Sequence, residues 1–121
     1  MFGLNTSQQF YYYIGVTDMR KSFNGLSGLV QEHKSQIESE EVVYLFVNRR
    51  RDKIKILQWK SNGFLVYYKR LEEGTFKFPQ YDIEASLVKL NYTELVMLID
   101  GISIINLKKH KRFGKKNDKK A

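Results

Sequence analysis

Five cationic side chains fall within seven positions at Arg49, Arg50, Arg51, Lys53 and Lys55, inside the stretch NRRRDKIKIL at 48–57. Guanidinium groups carry a fork of donors that fits phosphate oxygens, and each phosphate neutralised on a nucleic acid releases counterions. The chemistry implied is anion binding. The plainer reading is a solvated turn between two strands, with Asp52 neutralising part of the charge. Two further cations, Lys69 and Arg70, end another strand-like run, FLVYYKRL at 64–71. If a hairpin brings the two runs together, both deliver their charge to one sheet edge, with Glu72 and Glu73 close enough to make that edge mixed in sign.

Other chemistries find less to work with. There is no cysteine, so thiolate metal sites, disulfides and a cysteine nucleophile are excluded for this sequence. His33 follows the first amphipathic segment and His110 lies among the cations of the basic tail, and both read as solvated side chains. NGLSGL at 24–29 lacks the lysine that a phosphate-cradling loop requires. Asp18, Asp52, Asp82, Glu84, Glu94 and Asp100 could in principle hold metal ions for a nuclease, but none sits mid-strand, and most have simpler uses at helix starts, helix ends or turns. No metal or other cofactor is expected. The aromatic groups Phe10–Tyr13 and Tyr67–Tyr68 could stack on unpaired bases, yet alternate aromatics of half-buried strands more simply form core.

The elements that position these residues can be read in order. FYYYIGV at 10–16 has the aromatic and β-branched content of a strand. Thr17 is placed to cap a helix whose first turn holds Asp18 and whose apolar face is Met19, Phe23, Leu26 and Val30. Arg20 and Lys21 then lie on the exposed side of its first turn. Gly25 and Gly28 weaken that helix or mark close approach of another backbone. Residues 31–41 are polar and read as helix exit and loop. Strand-like runs follow at 42–47, 53–59 and 64–71. Between the last two, Asn62-Gly63 is a strong hairpin signal; as the two loop residues they would set Trp59 opposite Val66, Leu57 opposite Tyr68, Lys55 opposite Arg70 and Lys53 opposite Glu72. Like charges at 55 and 70 would then face each other directly, an unfavourable pairing. Near the end, Asn91 and Glu94 form a capping-box pattern ahead of an apolar helical face at Leu95, Leu98, Ile99 and Ile102, with Gly101 as terminator.

These elements amount to an α+β fold: an antiparallel sheet of three to five strands covered by one N-terminal and one C-terminal helix. The length of 121 residues, 42% hydrophobic content and single proline suit one folded domain. The net charge of +8 is unevenly spread. Residues 108–121 hold eight Lys or Arg and one Asp, which leaves 13 cations and 12 anions in residues 1–107. The expected organisation is a nearly neutral domain at 1–107 and a flexible basic tail at 108–121, in which Lys108, Lys109, Lys111 and Arg112 attract polyanions without reading sequence. No leader-like segment or run of about 18 apolar residues is present, so a soluble, cytoplasmic protein with no membrane partner is expected.

Read together, GVTDMRKSFNGLSGLV at 15–30, YLFVNRRRDKIKILQW at 44–59, GFLVYYKRLEEGTFKFP at 63–79 and LNYTELVMLIDGI at 90–102 resemble the small accessory proteins called TnpB, or Orf2-like. These are encoded by bacterial insertion sequences of the sixty-six family and are distinct from the RNA-guided nucleases that share the label. The positions that carry the resemblance are Thr17 to Lys21, then Arg49, Arg51, Asp52, Ile54 and Lys55, then Lys69, Arg70, Leu71 and Gly74. Relatives commonly have Trp-Asp-Gly where this chain has Trp59-Lys60-Ser61, and Gly-Arg-Phe with Trp-Pro where it has Gly74-Thr75-Phe76 and Phe78-Pro79. Many stop soon after the last helix, so the basic tail belongs to this branch. The resemblance implies a non-enzymatic accessory factor of transposition, encoded beside a separate transposase, whose partners are DNA, that transposase, or both. Arg49, Arg50, Arg51, Lys55, Lys69 and Arg70 are the residues expected to hold DNA phosphates, with Arg20 and Lys21 as secondary candidates. A protein-only adaptor of the transposase is the alternative.

Overall fold

The run Val42–Val47, VVYLFV, has no polar alternation, and all six of its residues are buried. A strand of that kind needs cover on both faces. The computed structural model, which describes residues 4–30, 38–78 and 86–100, places it at the centre of a five-stranded sheet. The elements in chain order are β1 (Gln9–Val16), α1 (Phe23–Leu29), β2 (Val42–Val47), β3 (Lys53–Lys60), β4 (Gly63–Arg70), β5 (Leu87–Leu90) and α2 (Tyr92–Ile99). The strand order is β4-β3-β2-β1-β5.

The α+β class holds, but the sheet is mixed and not purely antiparallel. β1 and β2 run parallel, with Phe10 beside Val43 and Tyr12 beside Leu45. The remaining pairs are antiparallel. The reason is the connection: a chain that leaves β1, forms a helix and returns must enter the next strand in the same direction, whereas short turns reverse it. β5 was not legible as a strand. It completes the sheet by pairing Phe10 with Leu90 and Tyr13 with Leu87.

Alternation along β2 divides the core into two layers. Val42, Tyr44 and Phe46 face α1 and pack with Leu26, Val30 and Leu57. Val43, Leu45 and Val47 face the other way, with Phe10, Ile54, Phe76, Leu95 and Leu98 under α2. The second helix follows its sequence pattern: the Asn91 side chain accepts from Glu94 N at 2.7 Å, and Glu94 Oε1 accepts from Asn91 N at 2.9 Å. Leu95, Leu98 and Ile99 are buried as expected. Gly101, Ile102, His33, His110, Asp82, Glu84, most of the 31–41 loop and the whole 108–121 tail lie outside the described residues.

The first helix starts later than its pattern implies. Thr17 caps nothing; its amide donates to Val47 O at 2.9 Å and extends the β1–β2 ladder. Asp18 instead folds a turn, accepting Arg20 N on Oδ1 at 2.9 Å and Lys21 N on its carbonyl at 3.0 Å. Residues 17–22 are therefore a loop, and α1 begins at Phe23, which is itself exposed. Nor does Gly28 mark a close approach, since a Cβ there would meet no atom within 4 Å. Gly28→Ala should therefore stabilise the fold, by up to about 1 kcal/mol through helix propensity, seen as a higher urea midpoint with an unchanged m value.

The β3–β4 turn also differs from expectation. Its two loop residues are Ser61 and Asn62, both at positive φ (53° and 66°), while Gly63 already pairs with Lys60. Asparagine suits one of these left-handed positions, and Ser61 N is held by Glu40 Oε2 at 2.9 Å. The register slides by two, so every residue keeps its face but changes its partner. Lys55 stands opposite Tyr68, Leu57 opposite Val66, Trp59 opposite Phe64 and Lys53 opposite Arg70. The like-charge pairing thereby moves from Lys55 and Arg70 to Lys53 and Arg70, which have Asp52 and Glu72 as their respective ion-pair partners.

Candidate nucleic-acid interface

Four strand ends meet at one end of the sheet: β1 and β2 finish there at Val16 and Val47, β3 starts at Lys53, and β4 finishes at Arg70. Three of the four sequence motifs singled out above converge on this end. The turn from β2 to β3 is built on Asn48, whose Oδ1 accepts from Asp52 N and Lys53 N at 3.1 and 3.0 Å and whose Nδ2 donates to Asp52 Oδ1 at 2.7 Å. The Asn48 hydrogen bond, with Lys53 and Arg50 adding, holds the Asp52 carboxyl below the usual carboxylate range. Leu71 N donates to Asp52 O and Phe76 N to Arg51 O, which brace the turn from the α2 side. Its arginines are thus offered on a fixed support.

The turn divides the arginine triplet. Arg49 and Arg50 line a groove of about 690 Å³, whose opposite wall is residues 16–20 and whose other borders include Lys53 and Tyr68. Among the described residues neither Arg49 nor Arg50 has a hydrogen bond or ion pair. Arg51 lies outside that lining, at a φ of 61°, and its charge is felt by the buried Tyr12 phenol beneath α2, whose pKa burial raises.

The remaining candidates have other uses. Lys55 is 7% exposed; its Nζ donates to Met19 O at 2.8 Å and Lys21 O at 2.7 Å and lies 4.7 Å from the centre of the Tyr68 ring. It is an internal brace for the 17–22 loop, so it is not free to hold a phosphate. Lys69 lies on the opposite face, where Nζ donates to Ile99 O at 2.6 Å, a cation on the last carbonyls of α2. Arg70 pairs with Glu72 through Nε and Nη2 at 3.1 and 3.0 Å, with both side chains exposed. Arg20 forks onto Asp18, and its side-chain hydrogen bond lowers the Asp18 carboxyl to about 2. Exposed pairs of this kind are worth little and exchange readily for other anions. Lys21 is exposed and makes no ion pair among the described residues.

Two groove residues stand differently from expectation, although Lys53 was already part of the basic run. Lys53 was expected opposite Glu72, and Tyr68 was expected in the core opposite Leu57. Lys53 instead faces Arg70 and lies 3.6 Å from Asp52. Tyr68 is 50% exposed. A Ser-Asn loop at 61–62 would have signalled the partner of Lys53 but not the exposure of Tyr68, whose face it leaves unchanged. Among the described residues no group of three His, Asp or Glu is placed to hold a metal ion. No helix among them is long and apolar enough to cross a membrane.

Residues 8–109 match the family described as IS66 Orf2-like protein. The chain belongs to that family. Membership ties it to insertion-sequence transposition and covers every strand and helix described above. The uncharacterized protein y4jC of Sinorhizobium fredii (strain NBRC 101917 / NGR234) is 25% identical over 92 residues, which are 76% of this chain and 77% of that protein. No solved structure matches.

Proposed function

We propose that this IS66 Orf2-like protein is a non-enzymatic accessory factor of insertion-sequence transposition that binds DNA through the arginine-bearing end of its sheet, alongside the separate transposase of the same element. The observation that carries the reading is the pair Arg49 and Arg50, held on a hydrogen-bonded turn at the mouth of a groove and making no hydrogen bond or ion pair among the described residues. Arginines left in this way meet the needs of phosphate recognition: a donor fork, no ion pair to break among the described residues, and a backbone that does not have to reorganise. Arg20, Lys21, Lys53 and Arg70 surround them as weaker contributors, and the tail from Lys108 onward adds attraction of low specificity. The role is positional: phosphate contacts fix a protein on DNA without reading its sequence.

The test is binding of the element's terminal DNA against random duplex of equal length, with and without transposase. Salt-dependent binding of the isolated protein is the expected result. Binding that appears only when transposase is present would favour the protein-only adaptor, in which the same arginines meet acidic transposase surface.

A further inference from the structure

Tyr68 stands beside the arginine pair with much of its surface open to water. Its hydroxyphenyl ring borders the Arg49–Arg50 groove and also a second concavity of about 330 Å³ formed with Arg70 and Glu72. The order in space is arginine pair, aromatic ring, arginine. Half of the residue is in contact with water, yet the ring is anchored, because the buried Lys55 ammonium lies 4.7 Å from its centre and is itself tied to two carbonyls. An anchored ring gives up little freedom on contact with a ligand, which favours stacking. Mere cover for the ammonium would not require so much of the ring to remain exposed. Its neighbour Tyr67 points to the other face of the sheet and borders neither concavity.

We propose that this end of the sheet takes single-stranded DNA, with a base stacked on Tyr68 and the flanking phosphates on Arg49 and Arg50 to one side and Arg70 to the other. The inference rests on the DNA-binding reading of the same site and narrows it. In a duplex the base faces are stacked on one another and unavailable, whereas a single strand alternates ring and phosphate as this surface alternates arginine and tyrosine. Arg70 can turn to a phosphate because its present partner, Glu72, is an exposed side chain.

The test is fluorescence anisotropy with the full chain, a labelled mixed-sequence single strand and the same sequence as duplex, at one salt concentration. Tyr68→Ala should weaken single-strand binding by about tenfold and change duplex binding by less than about twofold, and Tyr68→Phe should keep the parent affinity for both. Tyr68→Leu, which still covers the Lys55 ammonium but offers no ring, should behave as Tyr68→Ala and serves where that variant unfolds. Equal losses on both probes, or an unchanged single-strand affinity in the folded variants, would overturn the inference. If duplex binding with its Arg49 and Arg50 dependence survives such a result, only the single-strand proposal falls. If the parent protein binds neither probe, the DNA-binding reading falls with it.

Discussion

Lys55→Met is expected to lower the stability of the domain by about 2–3 kcal/mol, because it deletes two charge-assisted hydrogen bonds from a buried ammonium and leaves the carbonyls of Met19 and Lys21 without their donor. For a domain of this size that corresponds to a fall in melting temperature of roughly 10 °C or more. Lys55→Arg should recover little, since a planar guanidinium cannot replace a compact ammonium between two carbonyls. Thermal and urea unfolding measure the loss, and proteolysis within residues 17–22 should accelerate because that loop loses its brace. At a temperature where the variant is still folded, the salt dependence of DNA binding should match the parent. A variant as stable as the parent but with a reduced salt slope would reverse the assignment and return Lys55 to the phosphate surface.

Replacement of both Arg49 and Arg50 by alanine should have the opposite profile. Neither side chain is used internally among the described residues, so stability should change by no more than about 0.5 kcal/mol. The slope of log K against log salt on duplex DNA should fall by roughly two, one for each lost phosphate contact. Arg51→Ala is the internal control: its side chain lies outside the groove, and it should leave the slope close to the parent value. Replacing Lys108, Lys109, Lys111 and Arg112 by glutamine should lower the slope independently, and the two sets of changes should add. If the tail variant abolishes all salt dependence while the Arg49 and Arg50 variant changes nothing, the sheet end is not the DNA contact.

Much of the fold was legible because its signals are local. The capping box at Asn91 and Glu94 needs only four residues to be read, and the unbroken apolar run of β2 declares a central strand whatever surrounds it. Direction and register were harder, because they depend on connections. The helix between β1 and β2 dictates a parallel pair, yet the helix signal drawn from Thr17 and Asp18 belonged to an Asp-centred turn. Both the loop and the cap use the same residue types to satisfy backbone amides, so composition does not separate them. The β3–β4 register turned on whether Asn62 comes first or second in the loop, a difference of one position in the turn and two along β4.

The candidate site was legible in charge and not in side-chain commitment. Arg49 and Arg50 stand at the sheet end as the basic run suggested. Lys55 and Lys69 carry the same formal charge but are turned inward onto backbone carbonyls at 2.6 to 2.8 Å. No pattern in the sequence marks a lysine as a carbonyl brace, since that role is set by where a distant loop or helix happens to end. Tyr68 was missed for a related reason: alternation assigns its face, but exposure depends on how far α1 extends over β4, and that helix is short.

The pairing of Phe10 with Leu90 has a bearing on how the chain is made. β1 is synthesised before β5 with a helix and three strands between them, so β1 waits through synthesis of those elements for its second partner. Its Phe10 and Tyr12 side chains meanwhile lack the cover that α2 later supplies. Sheet closure is thus a late, non-local event, slow relative to the β3–β4 hairpin. A nascent polypeptide interrupted before Leu87 would present an open strand edge to its neighbours, which makes premature termination a route to aggregation.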